Sequence, residues 1–269
     1  MGNRISLIRN KRPLVHCLTN YVTVNDCANI LLAVGASPIM AHHISEVCEV
    51  TSHADALLCN LGATEYYDAM KLSCDAATKQ GIPIIVDPVG VSGIGFRREF
   101  FFELAAASKF SCIRGNAAEI MALYLNTFTS AGVDAGSADA NSGASLADAC
   151  IGLSKKFGCV VVASGACDIV ADGDRVLKIS GGSSRMKNIT GAGCMSSAIV
   201  AGMLAATAGD EKFDAVVAGD ERFEVVVDAC RLMNICAKQA ADECDELNLG
   251  SQSFRIKLID KVSLLTELK

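Results

Sequence analysis

Seven consecutive residues, Asn188-Ile189-Thr190-Gly191-Ala192-Gly193-Cys194, lead straight into an Ala-rich apolar stretch of helical character over 194–206. Small residues at Gly191, Ala192 and Gly193 let successive backbone N–H groups converge on one anion. The positive end of the following helix adds attraction, so a phosphate in transfer could be held there. A Gly-rich turn that merely packs one element on another has the same local sequence. Two further segments favour the phosphate. Asp87-Pro88-Val89-Gly90 directly follows an apolar run, which puts the Asp87 carboxylate at a strand end. Asn116-Ala117-Ala118-Glu119 opens a helical segment with its amide and carboxylate three positions apart, hence on one face. Oxygen ligands of this kind suit Mg2+, often through water, and a nucleotide phosphate needs its charge neutralised. Asn116 and Glu119 equally well form a helix cap and its capping-box partner. Arg114, just before the cap, can pair with a phosphate or with an acidic side chain.

A third group is N-terminal. Asn20 offers a donor and an acceptor at a strand end, while Val22 and Met40 offer apolar, adaptable surface. Together they describe a pocket for a small, flat, mostly apolar molecule with one or two polar atoms. His42 and His43 are adjacent and point in different directions, with no carboxylate following at helical spacing, which argues against a metal there. Gly90-Val91-Ser92-Gly93-Ile94-Gly95 has the order GxxGxG and follows Asp87-Pro88, so it is not a dinucleotide fingerprint.

These residues need a scaffold that gathers them. Short apolar runs over 14–18, 37–40, 56–59, 83–86, 110–113 and 159–163 alternate with helical patterns over 24–34, 64–79, 96–107, 117–125 and 146–157. That alternation predicts βα units around a largely parallel sheet, in which ligands gather at the polar or Gly-rich strand ends. After residue 163 the pattern becomes a hairpin, 168–171 and 176–179 about the turn Asp172-Gly173-Asp174-Arg175, with Gly supplying positive φ. Residues 180–184 read as a mobile loop and 130–144 as a long surface loop. A long helix is expected over 223–242, and 215–217 is too short to place. Nothing marks a second domain, so 1–269 is expected to be one.

Composition bounds the function. The 269 residues are 51% hydrophobic, with 24 basic and 30 acidic residues and a net charge of −6. The longest basic runs are pairs such as Arg97-Arg98, which excludes nucleic acid or an anionic membrane as the main partner. No apolar run approaches the roughly 18 residues of a membrane helix. Met1-Gly2-Asn3-Arg4-Ile5-Ser6 meets the loose myristoylation pattern, but nothing downstream supplies a second anchor. The 13 cysteines include no CxxC and sit mostly in apolar or Ala-rich stretches, as buried, reduced thiols of a cytoplasmic protein would.

Six segments, in order, are similar to the hydroxyethylthiazole kinases of thiamine salvage. They are 13–20 (Pro-Leu-Val-His through Asn20), 35–41 (Gly-Ala-Ser-Pro-Ile-Met-Ala), 87–90 (Asp-Pro-Val-Gly), 113–120 (Ile-Arg-Gly-Asn-Ala-Ala-Glu-Ile), 132–136 (Gly-Val-Asp-Ala-Gly) and 190–194 (Thr-Gly-Ala-Gly-Cys). The resemblance implies a ribokinase-like three-layer α/β/α fold, ATP and Mg2+, and a homotrimer with active sites between subunits. It assigns Met40 and the Gly191 backbone to the thiazole alcohol, with Asn20, Val22 and Gly62 in the same pocket. It assigns Arg114 and Ser164 to ATP, and Asn116, Glu119 and Asp87 to the metal and phosphate region. Ser164 stands where Thr is usual, and Ala63 replaces a commoner hydroxyl residue. The reaction implied is transfer from ATP to the hydroxyl of 4-methyl-5-(2-hydroxyethyl)thiazole, with Gly191, Ala192 and Gly193 as an anion hole.

Related sugar and pyrimidine kinases of this fold carry an Asp base where this chain has Cys194. A helix N-terminus favours thiolate, so partial ionisation near neutral pH is expected, opposed by a bound γ-phosphate. The expected role is to position the hydroxyl and accept its proton late. A kinase for a pyrimidine or sugar alcohol, or a precursor-binding protein without turnover, are the competing readings.

Overall fold

The computed structural model describes residues 4–126, 144–208 and 219–265. Eight strands form one sheet: β1 (Leu14–Leu18), β2 (Ser37–Ile39), β3 (Ala56–Asn60), β4 (Ile84–Asp87), β5 (Cys112–Asn116), β6 (Val160–Ser164), β7 (Cys167–Asp172) and β8 (Arg175–Ser180). Their order is β2-β1-β3-β4-β5-β6-β7-β8. The first six pair in parallel, and β7 and β8 close one edge antiparallel. Asp172 pairs with Arg175 across the expected two-residue turn, where Gly173 takes φ 60°.

Strand side chains alternate between two apolar layers, as a sheet covered on both faces requires. Cys17, Leu58, Ile85, Cys112 and Val162 point to one layer, whereas Leu18, Cys59, Val86, Ile113 and Val161 point to the other. The first layer is built with α1 (Arg4–Lys11), α2 (Val24–Val34), α8 (Ala192–Thr207), α9 (Gly219–Glu246) and α10 (Ser251–Leu264). The second is built with α3 (Val47–His53), α4 (Tyr67–Gln80), α5 (Gly95–Ala107), α6 (Ala117–Leu125) and α7 (Leu146–Phe157). This is the three-layer α/β/α arrangement expected from the sequence. Helix α8 is buried on almost every side, which its Ala-rich, unpatterned sequence permits.

Helices α1, α3 and α10 were not expected. α1 buries only Ile5 and Ile8, and α3 only Val47 and Thr51, too few for a periodic signal. Residues 180–184 do not form a free loop: Ser180 ends β8, Gly181 and Gly182 take φ of 135° and 77°, and a 3-10 turn spans Ser184–Asn188. The motif at 132–136, most of the 130–144 loop and residues 215–217 lie outside the described residues. Among the described residues no helix is long and apolar enough to cross a membrane. All 13 cysteines are free, and only Cys48 and Cys167 escape full burial.

Candidate active site

The two-residue period of the strands selects the site. Asn60, Asp87, Arg114 and Ser164 each stand two positions after an inward residue of the first layer: Leu58, Ile85, Cys112 and Val162. All four therefore face the first layer from the C-terminal ends of neighbouring strands, and Asn60, Asp87 and Arg114 bond to residues in the first two turns of α8. Register sets Asn60 level with Asp87, while Ser164 lies level with Asn116, two positions past Arg114. Each strand runs past the residue where the apolar run stops, so Arg114 is a strand residue, not a connector.

The first turn of α8 meets this row. Gly191 is its N-cap at φ 83°, where a Cβ would come within 2.9 Å of Thr23 Cγ2, so only glycine fits the turn. No side chain caps this helix end, which leaves the leading N–H groups of Ala192, Gly193 and Cys194 directed at the site. Arg114 Nη1 donates to the Gly193 carbonyl at 3.0 Å.

Asn60, which the sequence reading passed over, joins the parts. It is buried, and its Nδ2 donates to Asp87 Oδ2 and to Cys194 Sγ, both at 3.2 Å. Its Oδ1 accepts from Gly62 N at 2.9 Å and from Asn20 Nδ2 at 3.2 Å. A Cβ on Gly62 would stand 2.8 Å from that same oxygen, so the close approach needs glycine. The signal was available: a polar amide ends the apolar run 56–59 directly before Leu61-Gly62. Ser197, one turn beyond Cys194, also donates to Asp87 Oδ2, at 2.9 Å.

Asn20 Oδ1 accepts the Val22 N–H at 3.1 Å, which fixes the turn after β1 and leaves Val22 half exposed. Met40 follows β2 and packs against the first layer. No hydrogen bond ties it to the Asn60 group, but His16 holds its segment by donating from Nε2 to Ala41 O at 2.8 Å. Burial pushes the His16 imidazole toward its neutral form. Ser164 Oγ donates to Gly115 O at 3.2 Å, linking β6 to the strand that carries Arg114. His42 stacks on Tyr66 with centroids 4.5 Å apart.

Asn116 and Glu119 form the capping box: Glu119 N donates to Asn116 Oδ1 at 2.9 Å, and Asn116 N to Glu119 Oε2 at 2.8 Å. Glu119 Oε1 accepts from Gly90 N at 3.0 Å, clamping the 87–90 turn. A metal role must share these oxygens, and among the described residues no group of three or more His, Cys, Asp or Glu is placed to enclose an ion.

The buried carboxylates are poised unevenly. Burial raises Asp87, opposed by the Arg114 charge and by hydrogen bonds from Ser197 and Asn60. Burial raises Glu119 to about 7, and the neighbouring Asp87 charge pushes the same way. Cys194 corrects the expectation of a partial thiolate: burial, then the Asp87 charge, push it up to about 12, so the thiol stays protonated at neutral pH. The helix N-terminus does not overcome the missing water.

Glu119 gives a stability prediction. Its ordinary value is 4.5 and its folded value about 7, so the folded state holds the proton more tightly. Its contribution is complete below pH 4.5 and is lost as pH rises toward 7 and beyond, by up to about 3 kcal/mol. The Tm of Glu119→Gln minus that of the parent is expected to climb across this window in metal-free buffer. A flat difference between pH 4 and 8 contradicts it.

A family model described as the hydroxyethylthiazole kinase family matches residues 5–267. The chain belongs to the hydroxyethylthiazole kinase family. It is 39% identical to a hydroxyethylthiazole kinase of Clostridium beijerinckii over 99% of this chain and 92% of that one. It is 40% identical to one of Methanobrevibacter smithii, covering 94% and 88%. The structure of the hydroxyethylthiazole kinase protein from Pyrococcus horikoshii superposes with TM-score 0.82 at 30% identity, covering 98% of this chain and 92% of that one. A ribokinase-like superfamily protein of Enterococcus faecalis shares the fold at TM-score 0.58 and 15% identity, covering 96% and 89%. The fold is thus ribokinase-like, and membership in the hydroxyethylthiazole kinase family makes this chain a phosphotransferase.

Proposed function

We propose that this chain, as one domain over 1–269, transfers the γ-phosphoryl group of ATP to the hydroxyl of 4-methyl-5-(2-hydroxyethyl)thiazole. The observation that carries this reading is Cys194 in the uncapped first turn of α8, tied by Asn60 to Asn20 and Gly62 on one side and to Asp87 on the other. Asn20, Gly62, Val22, Met40 and the Gly191 backbone hold the thiazole alcohol. The N–H groups of the 191–193 turn and the Arg114 guanidinium receive the transferring phosphoryl, whose charge is spread over three oxygens. Ser164 lies on the ATP side of Arg114.

Mg2+ fits as a hydrated ion carried with the nucleotide. Asp87 and Glu119 are two buried carboxylates close enough that one raises the other, a repulsion that a cation relieves. Mg2+ usually keeps several waters and takes one or two carboxylates besides phosphate oxygens. Asp87, Glu119 and Asn116 would hold it through water, and it would supply neutralisation of phosphate charge.

The acceptor oxygen forms a bond to the γ-phosphorus as the bond from that phosphorus to the β–γ bridging oxygen breaks; ADP leaves, and the hydroxyl proton passes late to a phosphoryl oxygen or to water, since the protonated Cys194 thiol has no room for it. A loose transition state needs little deprotonation of the alcohol beforehand. A protonated Cys194 can orient the hydroxyl without first removing its proton. Cys194→Asp is therefore expected to keep or exceed the parent kcat, and Cys194→Ala to lose no more than about tenfold. A folded, substrate-binding Asp variant without turnover overturns this role.

Tyr21 and Val22, 79% and 52% exposed beside Asn20, are apolar surface at the pocket mouth, consistent with a homotrimer whose subunits complete one another's sites. A cytoplasmic location agrees with the buried free thiols. A coupled ADP-release assay across thiazole, pyrimidine and sugar alcohols tests the activity. Preference for anything but the thiazole overturns the substrate, and absence of ADP release with all three overturns the reaction.

A further inference from the structure

Two charges connect the last helix to the phosphate turn. Asp26 lies in the first turn of α2 and is buried. Thr23, the N-cap of α2, makes no side-chain cap bond, so the Asp26 carboxylate answers the positive end of that helix. The same carboxylate reaches α8: its Oδ2 lies 3.8 Å from where a Cβ on Gly191 would stand. A bare negative charge there would compete with the phosphoryl group for the α8 N-terminus. Arg255 of α10 answers it, with Nη1 3.0 and 3.1 Å from the two Asp26 oxygens. Its side chain is 29% exposed against 4% for Asp26, so the pair is only partly screened by water.

We propose that Arg255 is a charge-balancing positioning residue for phosphoryl transfer: it cancels Asp26, so that the 191–193 turn presents an undiminished positive field to the nucleotide. Arg255 touches no substrate. It acts through Asp26, whose carboxylate lies beside the turn at Gly191. The inference rests on that turn holding phosphate. It separates two properties that a purely structural clamp would lose together, helix packing and affinity for the anion.

The test compares Arg255→Gln, Arg255→Lys and the double variant Arg255→Gln/Asp26→Asn, with KM measured separately for ATP and for the thiazole alcohol. Arg255→Gln is expected to lower kcat/KM for ATP by about tenfold to a hundredfold, the effect of a unit charge several ångströms away in a partly buried site. KM for the alcohol is expected to move less than threefold. The loss should shrink with added salt, which screens the uncovered carboxylate. The Lys variant and the double variant are both expected to recover most of it.

An unchanged Arg255→Gln variant overturns the inference. So does a double variant or a Lys variant, folded by thermal melting, that stays as poor as Arg255→Gln. Gly193→Ala separates this from the underlying reading, because its Cβ would meet Arg114 Nη1 at 2.9 Å. Raised KM for ATP in Gly193→Ala with unchanged Arg255→Gln kinetics leaves the phosphate turn standing and removes Arg255. Unchanged ATP kinetics in Gly193→Ala removes the phosphate turn itself and the Arg255 role with it.

Discussion

An Arg114→Gln variant is expected to lose about a thousandfold in kcat, the scale at which arginines act in phosphoryl transfer. Arg114 is buried at the end of β5 and anchored by the Gly193 carbonyl, so its charge is fixed against the turn proposed to receive the phosphate. Burial is the main cause of the raised Asp87 and Glu119 values, and the Arg114 charge opposes it at both. Removing the guanidinium therefore weakens the anion site and favours protonation of both carboxylates. The acid limb of the kcat/KM profile is expected to move to higher pH as the rate falls. Steady-state kinetics between pH 5 and 9 check both. A loss below tenfold, or an unmoved acid limb, removes Arg114 from the transfer step.

Replacing Asn60 by Leu is expected to cost both rate and stability. The substitution strands the Gly62 N–H, removes the amide donor of Asp87 Oδ2, and takes from Cys194 the shorter of its two amide contacts, leaving Asn20 Nδ2 at 3.9 Å. A buried polar group left unpaired costs about 1–3 kcal/mol. Urea unfolding is expected to show a loss at or above the top of that range, since several groups lose their partner. The fall in kcat is expected to exceed a hundredfold, because Asn60 bridges the proposed acceptor pocket, through Asn20 and Gly62, to the thiol. Asn60→Leu with near-parental kcat means the pocket is organised by Asn20 without it.

The strands of the two apolar layers, and the helices other than α1, α3 and α10, were legible because burial writes a period into the sequence. The strand ends were not. Expected strands stopped at 59, 86, 113 and 163, while the ladders continue to Asn60, Asp87, Asn116 and Ser164. At these ends a polar residue looks like the start of a loop, yet the backbone stays in the sheet, which lets Asn60 and Asp87 reach α8, Asn116 cap α6 and Ser164 bond across to Gly115. Asp87, Arg114 and the 191–194 turn were found by their chemical type and company. Asn60 was not, because an amide has no distinctive chemistry until its neighbours in space are known. The same holds for the Arg255–Asp26 pair, 229 positions apart.

That continuation of the ladders divides the molecule's capacity for change. Asn60, Asp87, Arg114 and Ser164 ride on hydrogen-bonded strands spaced about 4.8 Å apart, so this polar row is built into the sheet and resists rearrangement. Asn20, Val22, Met40 and Gly62 stand on connections just beyond the strands. Connections tolerate substitution better than the elements they join. On the proposed function, a lineage built on this plan can exchange the alcohol it phosphorylates by altering these short connections, while the polar row on the strands is inherited unaltered.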